Sequence, residues 1–197
     1  RTQTILYRDV ASPTFVYAFR IAGGLVADTP RATAYYTPRA AAYALGGLDN
    51  AVLTNALVHC SPPLASNVQC FVEQSAHCGE FYVAITPVET SEPYASLQVR
   101  LEGALRAALA QPDNAQLEGA VRTQLFVDWV DANARLSTFT NAWVDMIGTT
   151  NDAELIFIDP RNVTLAVNEF CSSHLSMDVA HAVVLLPVDR CPTDYQR

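Results

Sequence analysis

Leu97, Leu101, Leu105 and Leu109 recur every fourth residue, and this rhythm constrains the fold of the chain more than any other feature. The spacing lays a leucine stripe down one face of a helix, and such a stripe must pack against other apolar surface. Pro112 has no backbone donor and clashes with the preceding turn, so the helix ends before it; Asp113 and Asn114 can cap a new start. Leu117, Val121 and Leu125 resume the rhythm, and Phe126, Trp129 and Val130 widen the apolar face. Two core helices separated by a proline break are expected, and the break limits where a pocket can lie.

With 197 residues, half of them hydrophobic, the chain can bury a substantial core, and residues 1–197 read as a single domain. No stretch approaches the length of a membrane span. The net charge is −8 and all twelve basic side chains are arginine, which argues against a broad phosphate-binding surface. No leader precedes Arg1, which is compatible with a processed, mature chain.

The five cysteines make an odd set: Cys60, Cys70 and Cys78 cluster, Cys171 lies apart and Cys191 sits near the end. In a secreted chain, an odd cysteine near a terminus points to a bond with another chain, and the other four then allow three pairings. Asn162-Val163-Thr164 is an N-glycosylation sequon and fits the same secretory origin. His59-Cys60 and His77-Cys78 hold zinc-ligand side chains, but their spacing matches no common finger, so no metal or other cofactor is expected.

Thr4 to Val10 and Phe15 to Ile21 read as an antiparallel hairpin around Ala11-Ser12-Pro13-Thr14. Ala32 to Thr37 reads as a third strand stopped by Pro38, with short helices over Ala40 to Leu45 and Asp49 to His59. Cys60 to Gly79 lacks periodicity and reads as a disulfide-pinned loop, followed by a strand from Phe81 to Thr86. After the two long helices, Ser137 to Ile147 makes a third and Gly148 to Asp152 a turn. Glu154 to Ile158 and Val163 to Val167 read as a late hairpin, and Met177 to Pro187 as a final helix or strand. The order makes an α+β chain: a β-hairpin or sheet, then central helices, then the late hairpin.

Several stretches together resemble the A chains of type 2 ribosome-inactivating proteins, the ricin and abrin family. Phe15-Val16-Tyr17-Ala18-Phe19-Arg20 is similar to the family strand ending in Gly-Tyr-Arg, and Ala42-Tyr43-Ala44-Leu45-Gly46-Gly47 to its segment ending in Phe-Gly-Gly. Leu117-Glu118-Gly119 with Arg122-Thr123, then Asn141-Ala142-Trp143, resemble later family motifs. Met177-Asp178-Val179 and Arg190-Cys191-Pro192 resemble the tail whose cysteine bonds a lectin B chain. The resemblance implies an A-chain fold whose first quarter is absent or carried on a separate polypeptide.

It also implies an rRNA N-glycosidase ancestry. In that chemistry, aromatic faces hold a flipped adenine, a carboxylate stabilises the sugar cation and a cation serves the leaving base. Carried over, the stacking positions fall on Phe15 and Ala41, the glutamate on Ala110 and the arginine on Asp113, with Trp143 alone retained. Losing positioned charges of this kind typically costs about 10²–10³ in rate apiece. The expectation is thus an inactive or very weak A chain, disulfide-linked through Cys191 to a galactose-type lectin in a secreted or seed-vacuole defence protein. It would bind carbohydrate through that partner and have little hold on rRNA.

Two enzyme alternatives stand beside it. Glu102 and Arg106, one helical turn apart, could restore glycosidase activity in a shifted frame, although a surface salt bridge explains them and Asp131 with Arg135 more simply. Leu6-Tyr7-Arg8 and Gly23-Gly24-Leu25 are similar to ADP-ribosyltransferase toxins, with Tyr36-Thr37-Pro38 and Asp152-Ala153-Glu154 as poor counterparts of the remaining motifs. Ser172-Ser173-His174 near Asp178 could be drawn as a hydrolase triad, but no nucleophile elbow surrounds it.

Overall fold

A computed structural model describes residues 2–89, 92–110 and 117–188, with all side chains in them except those of 136–138. Five strands, β1 (Thr2–Arg8), β2 (Thr14–Ala22), β3 (Ala65–Gln74), β4 (Cys78–Pro87) and β5 (His181–Pro187), form one sheet in the order β1-β5-β2-β4-β3. The helices are α1 (Arg31–Ala42), α2 (Val52–Leu57), α3 (Tyr94–Ala110), α4 (Glu118–Ala134), α5 (Leu136–Thr150) and α6 (Val167–His174).

The leucine stripe behaves as its spacing demands. Leu97, Leu101, Leu105 and Leu109 are all buried in a core built on one face of the sheet, with Phe15, Tyr17, Phe19, Phe81, Val83 and Ile85. A second core holds Tyr35, Tyr36, Ala40 and Ala44 against Leu117, Val121 and Leu125 of the α4 region and Met146 of α5. Because Ala41 and Ala42 belong to the first core, α1 is packed on two sides and ties the halves together.

The expected first hairpin does not form. β1 and β2 are both strands, but β5 lies between them, parallel to β1 and antiparallel to β2. Ala182, Val184 and Leu186 are buried while Val183 and Leu185 are half-buried, so β5 is apolar on both faces and suits the interior of a sheet.

The strand expected over Ala32 to Thr37 is the first half of α1, which runs through Pro38. Proline leaves the Ala34 carbonyl without its helical donor, and Gln74 Nε2 supplies one at 3.4 Å. The segment read as a disulfide-pinned loop contains β3, paired with β4 from Ala65 to Gln74. Polar Asn67, Gln69 and Glu73 on its exposed face hid its period from a hydrophobicity reading. Cys60, Cys70, Cys78 and Cys171 are free thiols, so ladder pairing does the work assigned to disulfides.

The late hairpin is also replaced. Ala153–Phe157 and Pro160–Asn162 are 3₁₀ turns, each started by an aspartate side chain: Asp152 accepts from the Glu154 N–H at 3.0 Å and Asp159 from the Arg161 N–H at 2.9 Å. Val167, placed at that hairpin's end, begins α6. Helix α5 continues through Gly148 to Thr150 and stops where Asn151 adopts a left-handed φ of 54°.

Candidate functional site: the outer edge of β3

β3 pairs with β4 on one side only. The Ser75 N–H bonds the Cys78 carbonyl at 2.8 Å and closes the β3–β4 hairpin, which sets the alternation along the ladder. Val68, Cys70, Val72 and Gln74 therefore turn their backbone groups away from β4. The Gln74 carbonyl is taken by the Thr149 hydroxyl at 2.9 Å. Among the described residues, no backbone bond from another element reaches Val68, Cys70 or Val72.

Two cavities flank this edge. One, of about 740 Å³, runs beside Ser66 to Phe71 and is bounded by Gly46 to Asp49 and His59. The other, of about 420 Å³, reaches from Cys70, Phe71 and Val72 to α1, α4 and α5. Its walls are aromatic: Tyr35, Tyr36, Tyr43, Phe71 and Trp129. Between them, the π-helical turn Tyr43–Gly47 that continues α1 lies against β3 at Cys70. A β-carbon on Gly46 would meet Cys70 Sγ at 2.7 Å, so glycine permits this approach.

Polar groups in the smaller cavity are held firmly. Arg39 lies 3.6 Å over the Tyr35 ring, pairs with Asp145 at 2.7 Å and donates to the Tyr35 carbonyl at 2.9 Å. Tyr35 also donates to Asp145 at 2.7 Å. Tyr43 donates to Asp128, which accepts a further bond from Gln124 at 3.0 Å. Burial pushes the Tyr36 hydroxyl up to about 12, and it raises Tyr35 and Tyr43 as well, Tyr43 further through its bond to Asp128. Burial, then the charge of Cys171, raises the Cys70 thiol, and burial alone takes Cys171 to about 12, so neither offers a ready thiolate. The arrangement can hold a ligand but positions no obvious nucleophile.

Of the residues expected to form an adenine pocket, two are buried and two are exposed. Phe15 and Ala41 are buried in the sheet core, Ala110 is exposed at the end of α3, and Trp143 is 42% exposed on α5. Asp113 and Cys191 lie outside the described residues. Glu102 accepts from Gln98 and Tyr17 while Arg106 pairs with Asp178, so neither a catalytic pair nor their expected mutual salt bridge exists. Asp131 and Arg135 do form such a bridge, at 3.0 Å. Ser172 donates to the Glu169 carbonyl and His174 Nδ1 meets the Phe170 carbonyl, so no triad forms. Asn162 is exposed. Sequence reasoning missed the edge site: Trp129 read as core, and Asp128 gave no signal. Tyr35, Tyr36, Arg39 and Tyr43, clustered within nine residues of one helix, were the available clue.

No known family profile matches the sequence, and no curated protein is similar to it in sequence. Solved structures do share its fold. A protease from Helicobacter pylori aligns at 15% identity and a TM-score of 0.71, over 94% of this chain and 44% of its own. The inactive peptidase domain of a protein described as a zinc protease, from Bordetella parapertussis, aligns at 18% identity and 0.69, over 92% and 94%. A protein described as an M16-like peptidase, from Alicyclobacillus acidocaldarius, aligns at 14% and 0.70, over 95% and 44%. The chain thus spans less than half of two of these proteins and nearly all of the third.

These likenesses overturn the A-chain resemblance. The motifs that suggested it are short and individually common, and a mixed sheet with β5 between β1 and β2 places them in the fold that this chain shares with these structures. With it fall the ribosome-inactivating, ADP-ribosyltransferase, toxin and lectin readings, and the case for a disulfide-linked lectin B chain through Cys191.

Zinc, which the name of one neighbour implies, does not fit the described residues. All four histidines are described: His59 follows α2, His77 lies in the β3–β4 turn, His174 ends α6 and His181 begins β5. Among the described residues, no three His, Cys, Asp or Glu side chains converge on a metal position. The chain has the fold of M16-type peptidase domains without a recognisable metal-ligand set among its described residues.

Proposed function

We propose that this chain is a non-catalytic domain of an M16-type peptidase assembly, which holds a peptide in the cavity beside Val72 of β3 while a metal-bearing domain cuts it. The observation that carries the reading is the aromatic cavity of about 420 Å³ between Phe71 and Val72 of β3 and helices α1, α4 and α5, into which the outward-facing Val72 backbone opens. A bound segment can bond the Val72 main chain and send a side chain into this cavity, while Gly46 closes the edge at Cys70. Support for the non-catalytic part comes from the missing metal-ligand set and from the likeness to a domain described as inactive.

The test combines metal analysis of the purified chain with binding and cleavage of a labelled extended peptide. Binding without cleavage, and zinc far below one equivalent, is expected. One equivalent of zinc together with cleavage by the isolated chain overturns the proposal, and so does failure to bind any extended peptide.

A further inference from the structure

The smaller cavity beside β3 carries an unbalanced charge. Of its two ionised groups, Arg39 is stacked on Tyr35 and neutralised by Asp145. Asp128 receives hydroxyl and amide donors from Tyr43 and Gln124, but no cation pairs with it among the described residues. Tyr36, Tyr43, Trp129, Leu125 and Met146 line the same cavity, and Asp128 stands exposed at it. Aromatic walls beside an exposed carboxylate without a paired cation attract a cation both electrostatically and through the ring quadrupoles. A neutral apolar group would bury Asp128 without balancing it, and an anion would be repelled.

We infer that this cavity is a side-chain subsite for a basic residue, arginine or lysine, on a segment bound beside Val72 of β3, with Asp128 as its counter-charge. The inference rests on the proposed peptide-holding role of the β3 edge. Phe71 and Val72 belong to both the edge and the cavity wall, so a residue paired beside Val72 can reach the cavity. Arginine adds a planar guanidinium that stacks on the rings, so it binds more tightly than lysine.

The test measures fluorescence anisotropy of a short labelled peptide of alternating threonine and valine with one central arginine. Its comparison peptides carry lysine or citrulline, a neutral isostere of arginine, at the same place. With the wild-type chain, citrulline is expected to weaken binding about tenfold relative to arginine, the scale of a hydrogen bond to a charged group. Asp128→Asn should abolish that preference, so that the arginine and citrulline peptides bind the variant alike. Equal affinities for all three peptides, unaltered by D128N, would overturn the subsite while leaving edge binding intact. No binding of any peptide would remove the edge reading and the subsite with it.

Discussion

The side-chain amide of Gln74 donates to the carbonyl of Ala34 at 3.4 Å, which replaces the helical hydrogen bond that Pro38 cannot make. The same Nε2 reaches the Ala22 carbonyl at 3.0 Å, and Gln74 Oε1 accepts from Arg39 at 3.3 Å. One glutamine at the end of β3 therefore joins β2, α1 and the arginine beside the candidate site. It explains how a helix interior tolerates proline.

This bond predicts energetic coupling between two positions distant in sequence. Pro38→Ala supplies the missing helical donor, so Gln74→Leu should cost less in that background than in the wild type. A coupling of about 1 kcal/mol is expected from one buried hydrogen bond. Urea unfolding of the two single variants and the double variant measures it, and strict additivity would contradict this role for Gln74.

Gly46→Ala tests the fit of the π turn against β3. The added methyl would lie 2.7 Å from Cys70 Sγ and 3.1 Å from the Cys70 backbone nitrogen. Relieving that overlap should cost about 1–3 kcal/mol, as overpacking usually does. If the contact is real, G46A combined with Cys70→Ala recovers part of the loss in the same unfolding assay.

Val72→Pro removes an outward-facing N–H without touching the β3–β4 ladder, a substitution that an edge strand accommodates. Anisotropy titration should show weaker capture of an extended peptide by about tenfold, the worth of roughly one main-chain bond and its geometry. Circular dichroism should show the sheet intact. Unchanged affinity would mean that peptides do not bind this edge.

Stability should fall on the alkaline side. Burial raises the Cys171 thiol from 9.0 to about 12 and the Tyr36 hydroxyl from 10.0 to about 12, so the unfolded chain loses these protons first. Their contribution is fully present below the unfolded values near 9 and 10 and is lost as pH rises toward about 12. Thermal melts between about pH 8 and pH 11 should show Tm decreasing steadily, less steeply for Cys171→Ala. Alkylation in the native state should modify exposed Cys78 first and spare Cys171, which is 2% exposed, until unfolding.

Part of this fold was legible residue by residue. The α3 stripe, the strand character of β1, β2 and β4, and the helices α2, α4 and α5 all follow from local period and composition. The candidate site was less legible. Val68, Cys70 and Val72 alternate inward as a strand requires, yet the polar residues between them and the neighbouring cysteines suggested a loop. Trp129 stood at helical spacing within an apolar stripe, and nothing local distinguished a cavity wall from core.

Sequence by itself determined which segments could bury a face, because helical and strand periods are written over a few neighbouring residues. Tertiary structure alone decided that β5 enters between β1 and β2, that Gln74 allows α1 to pass through Pro38, and that β3 ends the sheet beside Asp128. Each depends on groups tens of residues apart meeting in space: His181 to Pro187 pair with both Thr2 to Arg8 and Thr14 to Ala18, and Gln74 reaches Ala34. A strand's own residues state that it can pair; which edge remains open depends on every other strand in the sheet.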